Sequence, residues 1–256
     1  MIIDGKKIAE EIREFLKNEL IESGKKLKLG IICVGEDPVS QKFVEKKVKF
    51  AEEIGVKTKL YNLPADISTN KLRKKMAEIC HPPTGGNDGV IIQLPLPKHI
   101  NIQYILNSIP QKKDVDVLSE NRSKVLTPVV GAIKEILNRN NIDIKNKNVV
   151  ILGAGILVGR PAATWFINQG ATIFVLRSST KDISKYTKEA DIIISGVGKP
   201  NLITADMVKE GVIIIDAGGD VDPVVAQKAS IFTPVPGGVG PLTVAMVFKN
   251  LLELNK

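Results

Sequence analysis

Cysteine is scarce in this chain: Cys33 and Cys80 are the two among 256 residues. Two thiols cannot staple a disulfide framework, so a reducing compartment, the cytoplasm, is expected. Cys33 lies in an apolar run and is expected to be a buried free thiol. Aromatic residues are also few, at 4%. The net charge is +8, yet the cations are scattered along the chain. Nucleic-acid binders cluster Lys and Arg, often with stacking aromatics, so no nucleic-acid partner is expected. The excess charge fits a lysine-rich solvated surface or a field that draws in anionic small molecules. No apolar stretch approaches the length that spans a bilayer, so no membrane partner is expected. The opening MIIDGKK has no uninterrupted apolar core of a secretory signal. Internal repeats and low-complexity tracts are absent.

What is present reads as an ordinary globular chain, 43% hydrophobic and 25% charged, long enough for one large or two modest domains. Ile8, Ile12, Phe15, Leu16 and Leu20 mark a helix over 8–20. Residues 28–34, KLGIICV, form a buried strand that ends in the turn Gly35-Glu-Asp-Pro38. A helix over 40–53 has Ser40 near its start and Gly55 at its stop. A strand over 58–63 and a helix over 69–79 follow, with Ser68 or Thr69 as N-cap. After a loop at 82–86, residues 88–94, DGVIIQL, make a third strand. Short helices are expected over 102–109 and 129–140, the latter a bridge between domains. Strands over 149–152, 172–176, 191–195, 211–216 and 231–234 then precede a last helix over 242–254. Such alternation specifies an α/β fold with parallel sheets.

Candidate chemistry sits where strands end, because open α/β sheets bind ligands beyond their carboxyl edges. In VVILGAGILVGRP an apolar strand runs through Gly153, Ala154 and Gly155 into Val158, Gly159 and a helix. Free N–H groups and the positive end of the dipole attract phosphate at such a helix start; a tight turn without a ligand is the plainer alternative. The next strand ends in Arg177-Ser178-Ser179 where an NAD site would carry an acid, which favours NADP. Arg177 as a surface residue is the other reading. A further strand ends in Gly196-Val197-Gly198. Earlier, Gln93 opens the stiff segment QLPLP, which reads otherwise as a strand terminator. Asp116 follows Asp114 in KKDVD and, by itself, fits a solvated charge. Ser40, Phe43 and Lys47 share one helix face. A lysine that acts as a base must lose its proton, which burial and cationic neighbours promote; alone, Lys47 fits a surface charge as well. Pro236-Gly237-Gly238-Val-Gly-Pro241 makes a rigid strip with little side chain, over which a flat ring can lie.

Together the stretches IIDGKKIA, VGEDPVSQKFVEKK, DGVIIQLPLP, KKDVD, VVILGAGILVGRP, ADIIISGVGKPNLIT and TPVPGGVGPLT resemble, in order and over nearly the whole chain, the methylenetetrahydrofolate dehydrogenase/cyclohydrolase family. The resemblance implies an N-terminal folate domain, 1–120 plus 242–256, and a Rossmann-type NADP domain, 121–241, with a cleft between them. It implies a homodimer formed through the nucleotide-binding domains. NADP is the implied cofactor, tetrahydrofolate one-carbon derivatives are the implied substrates, and no metal is required, because the methenyl cation is already electrophilic. Lys47 matches the family's catalytic lysine, Gln93 the glutamine that orients it, and Asp116 the carboxylate that holds the pterin edge. Ser40 and the strip beginning Pro236, Gly237, Gly238 match folate contacts. Phe43 stands where the family usually has Tyr, which raises a second reading: a dehydrogenase with weak or lost cyclohydrolase activity. Gly153-Ala154-Gly155 stands where Gly-Arg-Ser is common, so Arg177 is expected to replace the lost arginine. Val117 stands where the family has glycine, and the segment after Gly219 is short.

Overall fold

The computed structural model describes residues 1–81, 86–119 and 123–256. The chain divides into two compact units, one of Met1–Ala9 with Val129–Thr243 and one of Glu10–Pro128 with Val244–Lys256. Helix α1, Gly5–Ser23, passes from the first unit into the second and buries Ile12, Leu16 and Leu20 along one stripe.

Strand β1, Lys28–Val34, is the centre of a parallel sheet. Helix α2, Pro38–Ile54, starts on the Asp37 N-cap, whose carboxylate accepts from Ser40 N, and stops at Gly55 in the left-handed region. The expected start at residue 40 thus moves to Pro38, which suits the first helical turn because its missing N–H is not needed there. Strand β2, Lys57–Leu63, and helix α3, Thr69–Cys80, follow, with Ser68 as the N-cap of α3. Strand β3, Gly89–Ile92, completes the sheet order β2-β1-β3 among the described residues. Helix α4, Ile102–Leu106, is shorter than expected and is capped by Asn101. The loop expected at 82–86 falls, apart from Gly86, outside the described residues.

Helix α5, Pro128–Arg139, leads into strand β4, Asn148–Leu152, helix α6, Gly159–Asn168, and strand β5, Thr172–Leu176. Helix α7, Ser184–Thr187, precedes strands β6, Ile192–Ser195, and β7, Ile213–Asp216, and the two-residue strand β8, Ile231–Phe232. Short 3-10 turns lie at Ala205–Met207 and Pro223–Gln227. All pairings are parallel, in the order β5-β4-β6-β7-β8. β6 and β7 are apolar from end to end or nearly so because helices and turns cover both faces. Helix α8, Val239–Leu254, begins three residues earlier than expected and absorbs the last three residues of the 236–241 strip.

The contacts divide the chain at other positions than the expected domains, and one expectation, a buried Cys33, needs correction. By contacts, residues 1–9 group with residues 129–243: Ile2 bridges Phe232 in parallel and Ile3 N donates to the Phe232 carbonyl at 2.8 Å. The boundary expected at 120/121 lies outside the described residues; the division falls at Pro128/Val129. Cys33 is half-buried, near the exit of β1, while Cys80 is buried; both are free thiols.

Candidate active site

In each sheet the first strand sits inside and the chain then leaves to both sides, β1 toward β2 and β3, β4 toward β5 and β6. Such switch points are where open α/β sheets place ligands.

In the three-stranded sheet, the β1/β3 switch gathers side chains. Lys47, from the inner face of α2, is buried, and its Nζ donates to Gln93 Oε1 at 2.9 Å. Gln93 is fixed at both ends: its backbone N–H donates to the Ile32 carbonyl at 2.8 Å and its Nε2 to the Leu94 carbonyl at 2.8 Å. Ser40 is also buried. Its hydroxyl donates to the Asp37 carboxylate at 2.7 Å and lies 3.2 Å from the Leu94 carbonyl. Phe43 is 43% exposed, with the Lys46 ammonium 5.4 Å from its ring centre. So α2 presents two buried polar groups and one open ring on one face.

Asp116 joins this set electrostatically. Burial pushes its carboxyl above the ordinary range, the Lys47 charge pulls it back, and Asp114 pushes it up again. Asp114 is raised by burial too, although it accepts from Val117 N at 2.8 Å and Ser119 N at 3.3 Å. The bond to Asp114 holds Val117 at φ 55°. That is the left-handed region, an outlier for a β-branched residue. The glycine that the resemblance led us to expect there would carry no such strain.

In the five-stranded sheet, the β4/β6 switch is furnished by backbone. Gly153 leaves β4, and Gly159 opens α6 so close to it that a Cβ on Gly159 would lie 1.9 Å from the Gly153 carbonyl oxygen. Val158 packs on Gly196, where a Cβ would lie 2.8 Å from the valine side chain. A cavity of about 510 Å³ is lined by Gly153, Arg177, Ser178 and Val197, together with Thr180, Asp182 and Lys199. Ser179, Ala154, Gly155 and Gly198 are not on its wall. Pro236, Gly237 and Gly238 also belong to this unit. There the Gly238 carbonyl lies where a Cβ on Gly5 would sit.

Two buried aspartates that sequence reasoning missed hold these turns. Asp216 accepts four backbone N–H groups, from Gly218, Gly219, Asp220 and Val221, at 2.8–2.9 Å. Asp220, wholly buried, accepts from Ser195 Oγ, from Val197 N at 2.7 Å and from Lys199 N at 2.6 Å. The signal available was an acid at the end of one strand and another four residues on, after paired glycines.

Two parallel sheets with polar groups gathered at their switch points, and a glycine turn feeding a helix, define a two-domain α/β enzyme of the dinucleotide-dependent class. Family models bear this out: residues 3–116 match the catalytic domain of tetrahydrofolate dehydrogenase/cyclohydrolase, and residues 126–256 match its NAD(P)-binding domain. The chain belongs to the tetrahydrofolate dehydrogenase/cyclohydrolase family. It is 40% identical to the bifunctional protein FolD of Nitratiruptor sp., an alignment that covers 100% of this chain and 98% of that one. The crystal structure of the bifunctional FolD enzyme of Campylobacter jejuni superposes with a TM-score of 0.92 at 39% identity, covering 99% of this chain and 98% of that one. The Trypanosoma brucei FolD, solved with NADP cofactor and inhibitor, gives 0.93 at 31% identity, covering 99% and 96%.

Proposed function

We propose that Lys47, held by Gln93, stands at the reacting centre of an NADP-dependent 5,10-methylenetetrahydrofolate dehydrogenase that is also a 5,10-methenyltetrahydrofolate cyclohydrolase. The chain oxidises the methylene bridge to the methenyl cation and hydrolyses that cation to 10-formyltetrahydrofolate. The observation that carries the residue assignment is the 2.9 Å bond between a buried lysine and a doubly anchored glutamine.

The β4/β6 switch suits NADP: a side-chain-free turn at a helix start for the diphosphate, and Arg177 and Ser178 on the cavity wall for a further phosphate. Bound NADP+ supplies the hydride acceptor. On the folate side, Asp116 offers two carboxylate oxygens to adjacent N–H donors of the pterin edge, and Phe43 offers its open ring for stacking. Hydrolysis assigns Lys47 the role of base toward the attacking water. As the oxygen of water bonds to the methenyl carbon, Nζ takes a proton from it. That proton then returns to N5 as the N5–carbon bond opens, while the remaining hydroxyl proton leaves to solvent as the formyl C=O forms, so one proton is released overall. Gln93 Oε1 accepts a hydrogen bond from Nζ and so orients it. The reading with weak or lost cyclohydrolase activity, raised by Phe43, has no support in the site, where the Lys47–Gln93 pair is intact.

Lys47→Met tests the assignment. With 5,10-methylenetetrahydrofolate and NADP+, followed spectrophotometrically, decay of the methenyl species should slow by about 10²–10⁴-fold, the usual worth of a general base. Unchanged decay rules the role out.

We also infer a cytoplasmic homodimer. Free thiols support the compartment, and among the described residues no helix is long and apolar enough to cross a membrane. β5 is a sheet edge carrying Phe174 and Val175, 40% and 36% exposed, beside Ile167 of α6 at 56%. An apolar sheet edge of this kind invites pairing with a second copy. Light scattering should give twice the chain mass, and Phe174→Glu should give a monomer.

A further inference from the structure

The phosphate turn Gly153-Ala154-Gly155 contributes no cation of its own, yet one is folded onto it. Arg160, the second residue of α6, is tied to the turn twice: its backbone N–H donates to the Gly155 carbonyl at 3.0 Å and its Nε to the Ala154 carbonyl at 3.0 Å. Among the described residues neither Nη nitrogen has a partner, and no carboxylate pairs with the side chain, which is exposed. A guanidinium anchored through Nε presents its two Nη groups as a free fork, the geometry that grips a phosphate with two parallel bonds.

Arg177 lies near Gly153, the first residue of the same turn. It follows Leu176, whose carbonyl accepts from Gly153 N at 2.9 Å, and it lines the cavity with Gly153. Its side chain, too, has no carboxylate partner among the described residues. Two guanidiniums without a carboxylate partner thus belong to this turn: Arg160, tied to the Ala154 carbonyl, and Arg177, which follows the residue that holds Gly153 and lines the cavity with it. The scaffold holds like charges together, which favours an anion between them. The end of the strand after the glycine turn is where a dinucleotide's adenosine ribose lies.

We propose that Arg160 is a specificity-determining residue that binds the 2′-phosphate of NADP together with Arg177. The inference rests on the NADP assignment and adds the residue through which α6 reads the phosphate.

The test is calorimetric binding of NADP+, NAD+ and 2′-AMP to the full chain and to Arg160→Gln, which keeps a donor near the Ala154 carbonyl but removes the charge. Arg160→Gln should weaken NADP+ and 2′-AMP about tenfold and NAD+ less than twofold, the scale of one lost charge-assisted contact. Arg160→Lys, which keeps the charge, should recover part of the NADP+ affinity and serves if the glutamine variant does not fold. Equal weakening of NADP+ and NAD+ overturns the inference, because it marks a role in turn geometry or at the diphosphate. So does unaltered NADP+ binding. A wild-type protein that fails to discriminate NADP+ from NAD+ overturns the NADP assignment itself, whereas discrimination that survives both substitutions overturns the Arg160 role alone.

Discussion

At the switch point of the three-stranded sheet the groups on offer are side chains: Lys47 and Ser40 from α2, Gln93 from the exit of β3, and Asp116 from the loop beyond. At the switch point of the five-stranded sheet they are mostly backbone, a glycine turn and loop amides held from beneath by Asp216 and Asp220. The same topology is furnished in two ways because the tasks differ. Moving protons needs a titratable atom at one point. Holding an extended, multiply charged dinucleotide needs many donors that do not move, and buried carboxylates fix loop amides better than flexible side chains could. The first site is therefore vulnerable at its visible residues and the second at its hidden supports.

That contrast can be broken in order of expected effect. After the loss of hydrolysis expected for Lys47→Met, the next largest change is expected from Asp220→Asn. An amide has one acceptor oxygen for three donors, so at least one buried N–H or hydroxyl loses its partner, at about 1–3 kcal/mol. NADP+ binding should weaken roughly tenfold to a hundredfold by that measure. Methenyl hydrolysis by the same variant, assayed without cofactor, should change far less. A parallel loss of both would erase the distinction between the two sites.

A smaller effect concerns pH. Burial raises the Asp116 and Asp114 carboxyls, so the folded chain keeps their protons to higher pH than the unfolded chain does. Their contribution to stability is full below the unfolded carboxylate value of about 4 and falls as pH rises through the raised folded values. Asp116→Asn should therefore melt higher than wild type at pH 7 and show a flatter melting profile from acid to neutral pH, while folate binding is lost. Equal melting curves across that range would show that Asp116 bears no burial penalty.

Smallest is Val117→Gly. Relief of the left-handed strain, offset by the greater freedom of an unfolded glycine, should stabilise the chain by about 1 kcal/mol. Denaturant titration reads this directly, and a destabilised variant would mean that packing of the valine outweighs its backbone cost.

Much of this architecture is legible in the sequence. KLGIICV, VVIL and VIIID announce buried parallel strands because both of their faces are covered, and glycines mark the turns that follow. The Lys47 helix face can be read from spacing, but only the resemblance singled out Lys47 and Gln93 from other lysines and strand ends. Elements α7 and the two 3-10 turns escaped because three to five polar or mixed residues carry no period. Asp220 escaped because its donors lie 21–25 residues upstream, and no local pattern reports a bond of that span. Arg160 escaped because VGRP reads as the start of a helix, and nothing in those letters says that the side chain turns back.

The pairing of Ile2 with Phe232 has a consequence for the order of synthesis. During synthesis Ile2 waits for some 230 more residues before its bridge partner Phe232 is made. Until then β8 does not exist, and residues 1–9 have no strand to pair with. The other unit waits in the same way for Phe248, which stacks on Phe50 at 5.0 Å, and for Asn250, whose amide donates to the Val115 and Leu126 carbonyls at 2.8 Å. Each unit is therefore closed by contacts of very long sequence separation, which makes its completion slow.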